Sequence, residues 1–222
     1  EVDESLAKQL KIAIVYTIRN EKGDLCSIMV DSFRNNNLEN VDLCIISDSD
    51  MPECLRWEGE LKAKLAREFG HKRIKYCLRP KDMRVGKKRG AISYWLENYP
   101  EYDYFLLCDA DSELPAGVLS KLRRKAACEA NQDVAIFQTR IDIIKPTTYF
   151  SKFLCVGQEF AQRIYTSACQ RAFGCGPFYG SGALIKSAAF IRFKVPHHIL
   201  SHDLWDNIFL EQLGYKTVFC ED

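Results

Sequence analysis

Short apolar runs of strand length alternate along this chain with segments of helical period, and that alternation constrains the fold more than any other feature. The runs are "KIAIVYTI" (11–18), "VDLCIIS" (41–47), "RIKYCL" (73–78), "YDYFLLC" (102–108) and "DVAIFQTRIDII" (133–144). Helix-like stretches fill the intervals at about 25–36, 52–69, 90–98 and 116–130. Near-continuous apolar strands separated by amphipathic helices predict an α/β fold with a mostly parallel sheet and helices on both faces. Asp50 is the expected cap of the 52–69 helix, with Pro52 and Glu53 in its first turn. The last third changes character. An amphipathic segment at about 149–169 leads into the glycine-rich "FGCGPFYGSGALIK" and a short strand, and "ILSHDLWDNIFLEQLGYKTVFC" reads as a helix and a final strand. With no repeat, low-complexity segment or linker, residues 1–222 are expected to form one domain.

A chain of 222 residues with 47% hydrophobic and 27% charged residues can bury a full core. Its 31 basic and 30 acidic residues leave a formal charge of +1, which speaks against a broad positive face for nucleic acid. Of the ten cysteines, Cys44, Cys77, Cys108 and Cys220 fall in or at the ends of apolar runs, reading as reduced, buried hydrophobes and a cytosolic setting. No CxxC occurs, and His71, His197, His198 and His202 are not interleaved with cysteines at zinc-site spacing. No apolar run approaches the roughly 18–20 residues that cross a bilayer. The start at Glu1 rather than Met, and the end on "VFCED", suggest a domain cut from a longer protein.

Within this frame, "FLLCDADSELPAG" (105–117) ends an apolar run in Asp109 and Asp111. The two-residue strand period would place both carboxylates on one side. A double helix cap explains them less well, because Pro115 and its successors open the next helix several positions later. Paired carboxylates at a sheet rim suit a hard cation, Mg²⁺ or Mn²⁺, completed by water and phosphate oxygens. Ligands of open α/β sheets bind beyond the carboxyl ends of the strands. The polar ends "TIRNE" (17–21), "SDSD" (47–50) and "DADS" (109–112), with "SHD" (201–203) entering a helix, are therefore expected to share one rim. The run "RPKDMRVGKKRGAIS" (79–93) offers Arg79, Lys81, Arg84, Lys87, Lys88 and Arg89 as a diphosphate clamp or, equally, a solvated basic loop. Neither a P-loop nor GxGxxG is present. Ser201 reads as a helix cap, His202 as a neighbour that orients or lines the site, and Trp205 and Phe209 as core at helical spacing.

The ordered set "RNE", "SDSD", "KKRGAI", "DADS", "YGSGALIK" and "LSHDLWDNIFLEQLGY" resembles the family 2 inverting glycosyltransferases of the GT-A fold. The branch it looks most like is the osmoregulated periplasmic glucan glucosyltransferases, related to cellulose synthase. The resemblance implies that Asp48 contacts uridine, that Asn20 and Glu21 border the base pocket, and that Lys88 meets the diphosphate. It further implies Asp109 and Asp111 as the metal-binding pair, Asp203 as catalytic base, and Gly180, Ser181 and Gly182 as the loop flanking the acceptor sugar. The implied partners are a UDP-sugar donor and an oligo- or polysaccharide acceptor. The resemblance also allows membrane-spanning segments in the parent protein, which would put this domain at the cytoplasmic face of a membrane. "SHD" replaces the commoner Thr-Glu-Asp, and the QxxRW motif of processive members does not occur, so processive and single-transfer enzymes stay open. From the residues alone, two rivals also stand: a sugar-phosphate nucleotidyltransferase and a noncatalytic nucleotide-sugar-binding module.

Overall fold

The computed structural model describes residues 2–21, 25–196, 199 and 201–221; His197 and His198 lie outside them. In chain order the elements are α1 (Glu4–Gln9), β1 (Ile12–Ile18), α2 (Leu25–Asn35), β2 (Val41–Ser47), α3 (Pro52–Phe69), β3 (Ile74–Leu78), α4 (Lys87–Asn98), β4 (Tyr104–Asp109), α5 (Val118–Ala126) and β5 (Val134–Thr139). Then come α6 (Tyr149–Phe160), which runs through a π-helical stretch (Ala161–Thr166) into α7 (Ser167–Phe173), β6 (Ala183–Lys186), α8 (Ser187–Phe190), α9 (His202–Gln212) and β7 (Lys216–Cys220).

The strands form a seven-stranded sheet in the order β3-β2-β1-β4-β6-β5-β7. β1 pairs in parallel with both β2 and β4, β2 with β3, and β5 with β7. Among the described strands of the sheet, β6 alone runs antiparallel to its neighbours. Alternate residues of each central strand feed opposite layers, as the pleat requires. Ile12, Ile14 and Tyr16 of β1 pack with Met29, Phe33, Leu61 and Leu119 on one face. Ala13 and Val15 pack with Ile92, Trp95, Phe105 and Phe190 on the other.

Several boundaries differ from the sequence expectation, each for a local reason. β5 stops at Thr139 instead of reaching 144, because the Ile141 amide donates to Gln162 Oε1 (2.7 Å) and its carbonyl accepts from Gln158 and Gln162 (2.8 and 2.6 Å). α5 opens at Gly117, held left-handed at φ 78°, and ends at Ala126, short of 130. α4 begins three residues earlier than its apolar period, at Lys87. Asp50 does not cap α3: Met51 holds the N-cap position without a side-chain bond, and the Asp50 carboxylate accepts from Asn20 Nδ2 (2.7 Å). The 149–173 segment is amphipathic in an inverted sense. Its polar Gln158 and Gln162 face the protein, while Tyr149 (94% exposed), Phe150, Phe153 and Phe160 face outward. Trp205 is not core either; its ring lies tilted against Phe209 and remains 39% exposed.

Candidate active site

β1 has neighbours on both sides whose connections leave in opposite directions, which makes its carboxyl end a topological switch point of the sheet. A cleft of about 690 Å³ opens there, lined by residues that include Ile18, Glu21, Asp48, Lys88, Asp109 and Asp111. The registers Ile18↔Ser47 and Thr17↔Asp109 bring the polar ends of β1, β2 and β4 level with one another. Of the four polar stretches expected to share this rim, the three strand ends do; 201–203 stands apart from the cleft lining and meets it at Gly180.

Asp48 is fixed from below by Arg79. Arg79 Nε donates to Asp48 Oδ1 (2.8 Å), Nη2 bonds Oδ2, and the arginine is only 1% exposed. The same guanidinium donates to the carbonyls of Val85 (2.8 Å) and Lys87 (3.2 Å), so it also holds the loop leading into α4. Arg79 is thus a buried brace, not a diphosphate clamp. Arg89 is likewise buried, paired with Asp206. Of the basic run, Lys87 and Lys88 line the cleft. Gly90 lets α4 sit this close: a Cβ there would drive into the Val85 carbonyl and stand 2.8 Å from Arg79 Nη1.

Asp109 closes β4, but Asp111 lies beyond the strand, so the pleat does not orient the pair. A tight turn does: the Ser112 amide donates to the Asp109 carbonyl (3.0 Å) and the Asp109 amide to Ser112 Oγ (3.1 Å). Tyr16, buried on β1, supports the turn by donating its hydroxyl to the Ser112 carbonyl (3.0 Å). Burial pushes the neighbouring Cys108 thiol up to about 12. Both carboxylates reach the cleft.

Lys88 joins the two halves of the site. Its ammonium bonds Asp109 Oδ1 and donates to the Gly180 carbonyl at 2.7 Å. Ser181 Oγ accepts from the Asp109 amide (3.0 Å), and the Gly182 amide donates to the Leu107 carbonyl (2.8 Å), so residues 180–182 are laid along the end of β4. Gly180, at φ 77°, also abuts Asp203: an added Cβ would lie 3.5 Å from Asp203 Cβ and 3.8 Å from Oδ2. Asp203 occupies the first turn of α9, and its Oδ1 accepts from Ser201 Oγ (2.7 Å). Ser201 stands at the N-cap position, yet its hydroxyl goes to this carboxylate and not to the helix backbone.

Asn20 sits beside the cleft as a fastener. Its amide donates to Ser49 Oγ (2.7 Å), and its Oδ1 accepts from the amides of Asp50 and Met51 (3.0 and 3.1 Å), tying the β1 loop to the β2 loop. Its left-handed φ of 53° is one that asparagine tolerates well. The Asn20 side-chain amide, donating from Nδ2 to Asp50 Oδ1, holds the Asp50 carboxyl below its usual range. Sequence reasoning missed Arg79 and Tyr16 as supports. Arg79 looked like one more charge in a basic run, and nothing in a strand of apolar residues marks Tyr16 as reaching a turn nearly a hundred residues away.

The fold is that of the GT-A glycosyltransferases. It aligns over 100% of this chain with 58% of the mannosyltransferase PcManGT from Pyrobaculum calidifontis, solved with GDP-Man and Mn²⁺, at TM-score 0.67 and 12% identity. It aligns over 97% of the chain with 70% of glucosyl-3-phosphoglycerate synthase from Mycobacterium tuberculosis, solved with Mn²⁺, UDP and phosphoglyceric acid, at TM-score 0.61 and 12% identity. In sequence, the chain is similar to glucans biosynthesis glucosyltransferase H of Shewanella sp. (strain ANA-3), 29% identical over 198 residues. That match covers 82% of this chain and 26% of the relative. The Shewanella baltica (strain OS155) protein of the same name is 28% identical over the same length. The chain spans about a quarter of the length of these curated relatives. No family model matches it. The chain thus has the fold of these enzymes and a sequence similar to part of a glucan glucosyltransferase.

Proposed function

We propose that residues 1–222 are the catalytic domain of an inverting hexosyltransferase that moves glucose from UDP-glucose to a glucan or related sugar acceptor, at the cytoplasmic face of a membrane. The observation that carries this reading is the continuous path from Asp109 through Lys88 and Gly180 to Asp203. Lys88 and Asp203 lie on either side of one glycine, which supports reading the first as the diphosphate-side cation and the second as the acceptor-side carboxylate. The similarity to a glucan glucosyltransferase supports glucose as the sugar and a glucan as the acceptor.

The donor set fits a hard divalent cation. Asp109 already takes a cation, the Lys88 ammonium, as its partner, and Asp111 lines the same cleft. Among the described residues no group of three His, Cys, Asp or Glu side chains could hold a metal. Two carboxylates suit Mg²⁺ or Mn²⁺, whose remaining positions would be left to diphosphate and water. When bound, such a cation supplies Lewis-acid stabilisation of the charge on the leaving diphosphate.

The chain's own residues do the rest. Asp48, held rigid by Arg79, and Glu21 receive the nucleoside at the β1 and β2 ends. Lys88 exchanges Asp109 for a phosphate oxygen and neutralises the departing diphosphate. Asp203 takes the acceptor hydroxyl proton as the new anomeric C–O bond forms and the C–O bond to phosphate breaks, its electron pair leaving with UDP. No acid partner is required, because the leaving group is already a stabilised phosphate. Residues 180–182 offer backbone without side-chain bulk where the acceptor sugar approaches.

Transfer from UDP-glucose followed by NMR tests this reading. UDP release with a β-linked product is expected. An α-linked product overturns inversion, and pyrophosphate release from UTP and glucose 1-phosphate overturns the transferase reading in favour of a nucleotidyltransferase.

A further inference from the structure

Beneath the cleft, outside the residues assigned to donor or acceptor, lies a buried ionic network joining α4 to α9. Arg89 Nε donates to Asp206 Oδ1 at 2.8 Å across 117 residues of sequence, and Asp206 Oδ2 meets His202 Nδ1 at 2.9 Å. Asp206 is 0% exposed. The remaining Arg89 nitrogens are also engaged: Nη2 donates to the carbonyls of Phe190 (2.8 Å) and Phe193 (3.1 Å), and Nη1 bonds Ser93 Oγ. The guanidinium lies 3.6 Å over the Phe190 ring.

A buried ion pair is an expensive way to join two helices, since apolar residues of the same volume often do so with equal or better stability. What such a pair adds is a fixed relative position. Here the position matters because of the sequence neighbours. Lys88, one residue before Arg89, reaches Asp109 and Gly180. Asp203, one residue after His202 and three before Asp206, reaches Gly180 from the other side. His202 and Asp206, four apart, share one face of α9, while Asp203 projects about 100° around from His202. The Asp206 carboxylate holds the His202 ring by Nδ1 and so fixes the first helical turn, the turn that carries Asp203.

We propose that Arg89, Asp206 and His202 are positioning residues that set the distance between the diphosphate-side lysine and the acceptor-side base. The proposal rests on the reading of Asp203 as base. Loss of its α9 members, Asp206 and His202, affects turnover and leaves donor binding alone, because the Lys88, Asp109 and Asp111 side of the cleft is built on β4 and the start of α4.

The test compares Asp206→Asn, His202→Gln and Asp203→Asn in the full chain. It measures thermal stability, calorimetric binding of UDP with Mn²⁺, and kcat and KM with UDP-glucose and GDP-mannose offered in parallel. His202→Gln keeps a polar side chain on a partly exposed residue, so it serves if Asp206→Asn fails to fold. The expected result is a 10- to 100-fold fall in kcat for His202→Gln and Asp206→Asn, with KM for the donor and UDP affinity within about twofold of the parent. Unchanged kcat in a folded His202→Gln, beside a large loss in Asp203→Asn, overturns the proposal alone. A fall in UDP affinity equal to the fall in kcat reduces the network to a structural role and also overturns it. Full activity in Asp203→Asn, or no binding of either donor by the parent, overturns the underlying reading and the proposal with it.

Discussion

Gly180 shows how much of this site rests on single residues. Its φ of 77° disfavours any L side chain, although a Cβ would meet Asp203 only at ordinary contact distance. Left-handed backbone costs an L-residue roughly 1–2 kcal/mol. Gly180→Ala is accordingly expected to lose about that much stability by urea unfolding, and to lower transfer because Lys88 loses a well-placed carbonyl. Asp203→Asn removes the proposed proton acceptor while keeping an oxygen that can accept from Ser201 Oγ. Transfer is expected to fall about 100- to 10,000-fold, while UDP affinity measured calorimetrically stays within about twofold. An equal loss in both would contradict the division of labour between the two carboxylate groups.

At the scale of elements, α4 carries the most consequence per residue. It starts in left-handed backbone at Gly86 and Lys87 (φ 74° and 48°), which presents Lys87 and Lys88 to the cleft from its first turn, and it packs through Gly90 onto the Val85 carbonyl. Gly90→Ala is expected to destabilise the domain by about 1–3 kcal/mol through overpacking and to weaken UDP binding by shifting Lys88. Urea unfolding and titration of the same variant check both. The α6 helix is the opposite case. None of its residues is buried, so replacing Phe150 and Phe153 with serine is expected to change unfolding stability by less than about 0.5 kcal/mol each. These two helices also mark where the sequence was legible and where it was not. The central strands β1 and β4 could be read directly, because nearly all their residues are buried on both faces and their runs are almost wholly apolar. α4 was read three residues short, since its first turn is basic and has no apolar period. The acidic pair was found by its composition, but its geometry comes from a turn closed by Ser112, not from the pleat. The two arginines that look most like a clamp, Arg79 and Arg89, are buried braces. A charge run carries no sign of which members will find a partner such as Asp48 or Asp206, 31 and 117 positions away. In α6, the period was visible but not its direction, because which face turns inward depends on the Ile141 backbone that Gln158 and Gln162 satisfy.

The whole molecule is a switch-point sheet whose central strands end in polar loops and whose interior holds neutral thiols and phenols. Burial pushes Cys108 and Tyr104 each up to about 12. In the unfolded chain these groups lose their protons near pH 8.5 and 10, whereas in the fold they keep them, so the native state binds more protons in that window. Stability is therefore expected to be fully present below about pH 8.5 and to decline as pH rises from there toward 12, which urea unfolding at stepped pH would follow. The central claim concerns the cleft at β1, β2 and β4: that Asp109 and Asp111 hold the cation that carries a nucleoside diphosphate. Its most direct test is calorimetric titration of UDP into the parent chain and into Asp111→Asn, with Mn²⁺ and then with a chelator. Binding by the parent that is lost on chelation, and weakened at least tenfold in Asp111→Asn, is the predicted result. UDP binding that is indifferent to Mn²⁺ and to the substitution would contradict it.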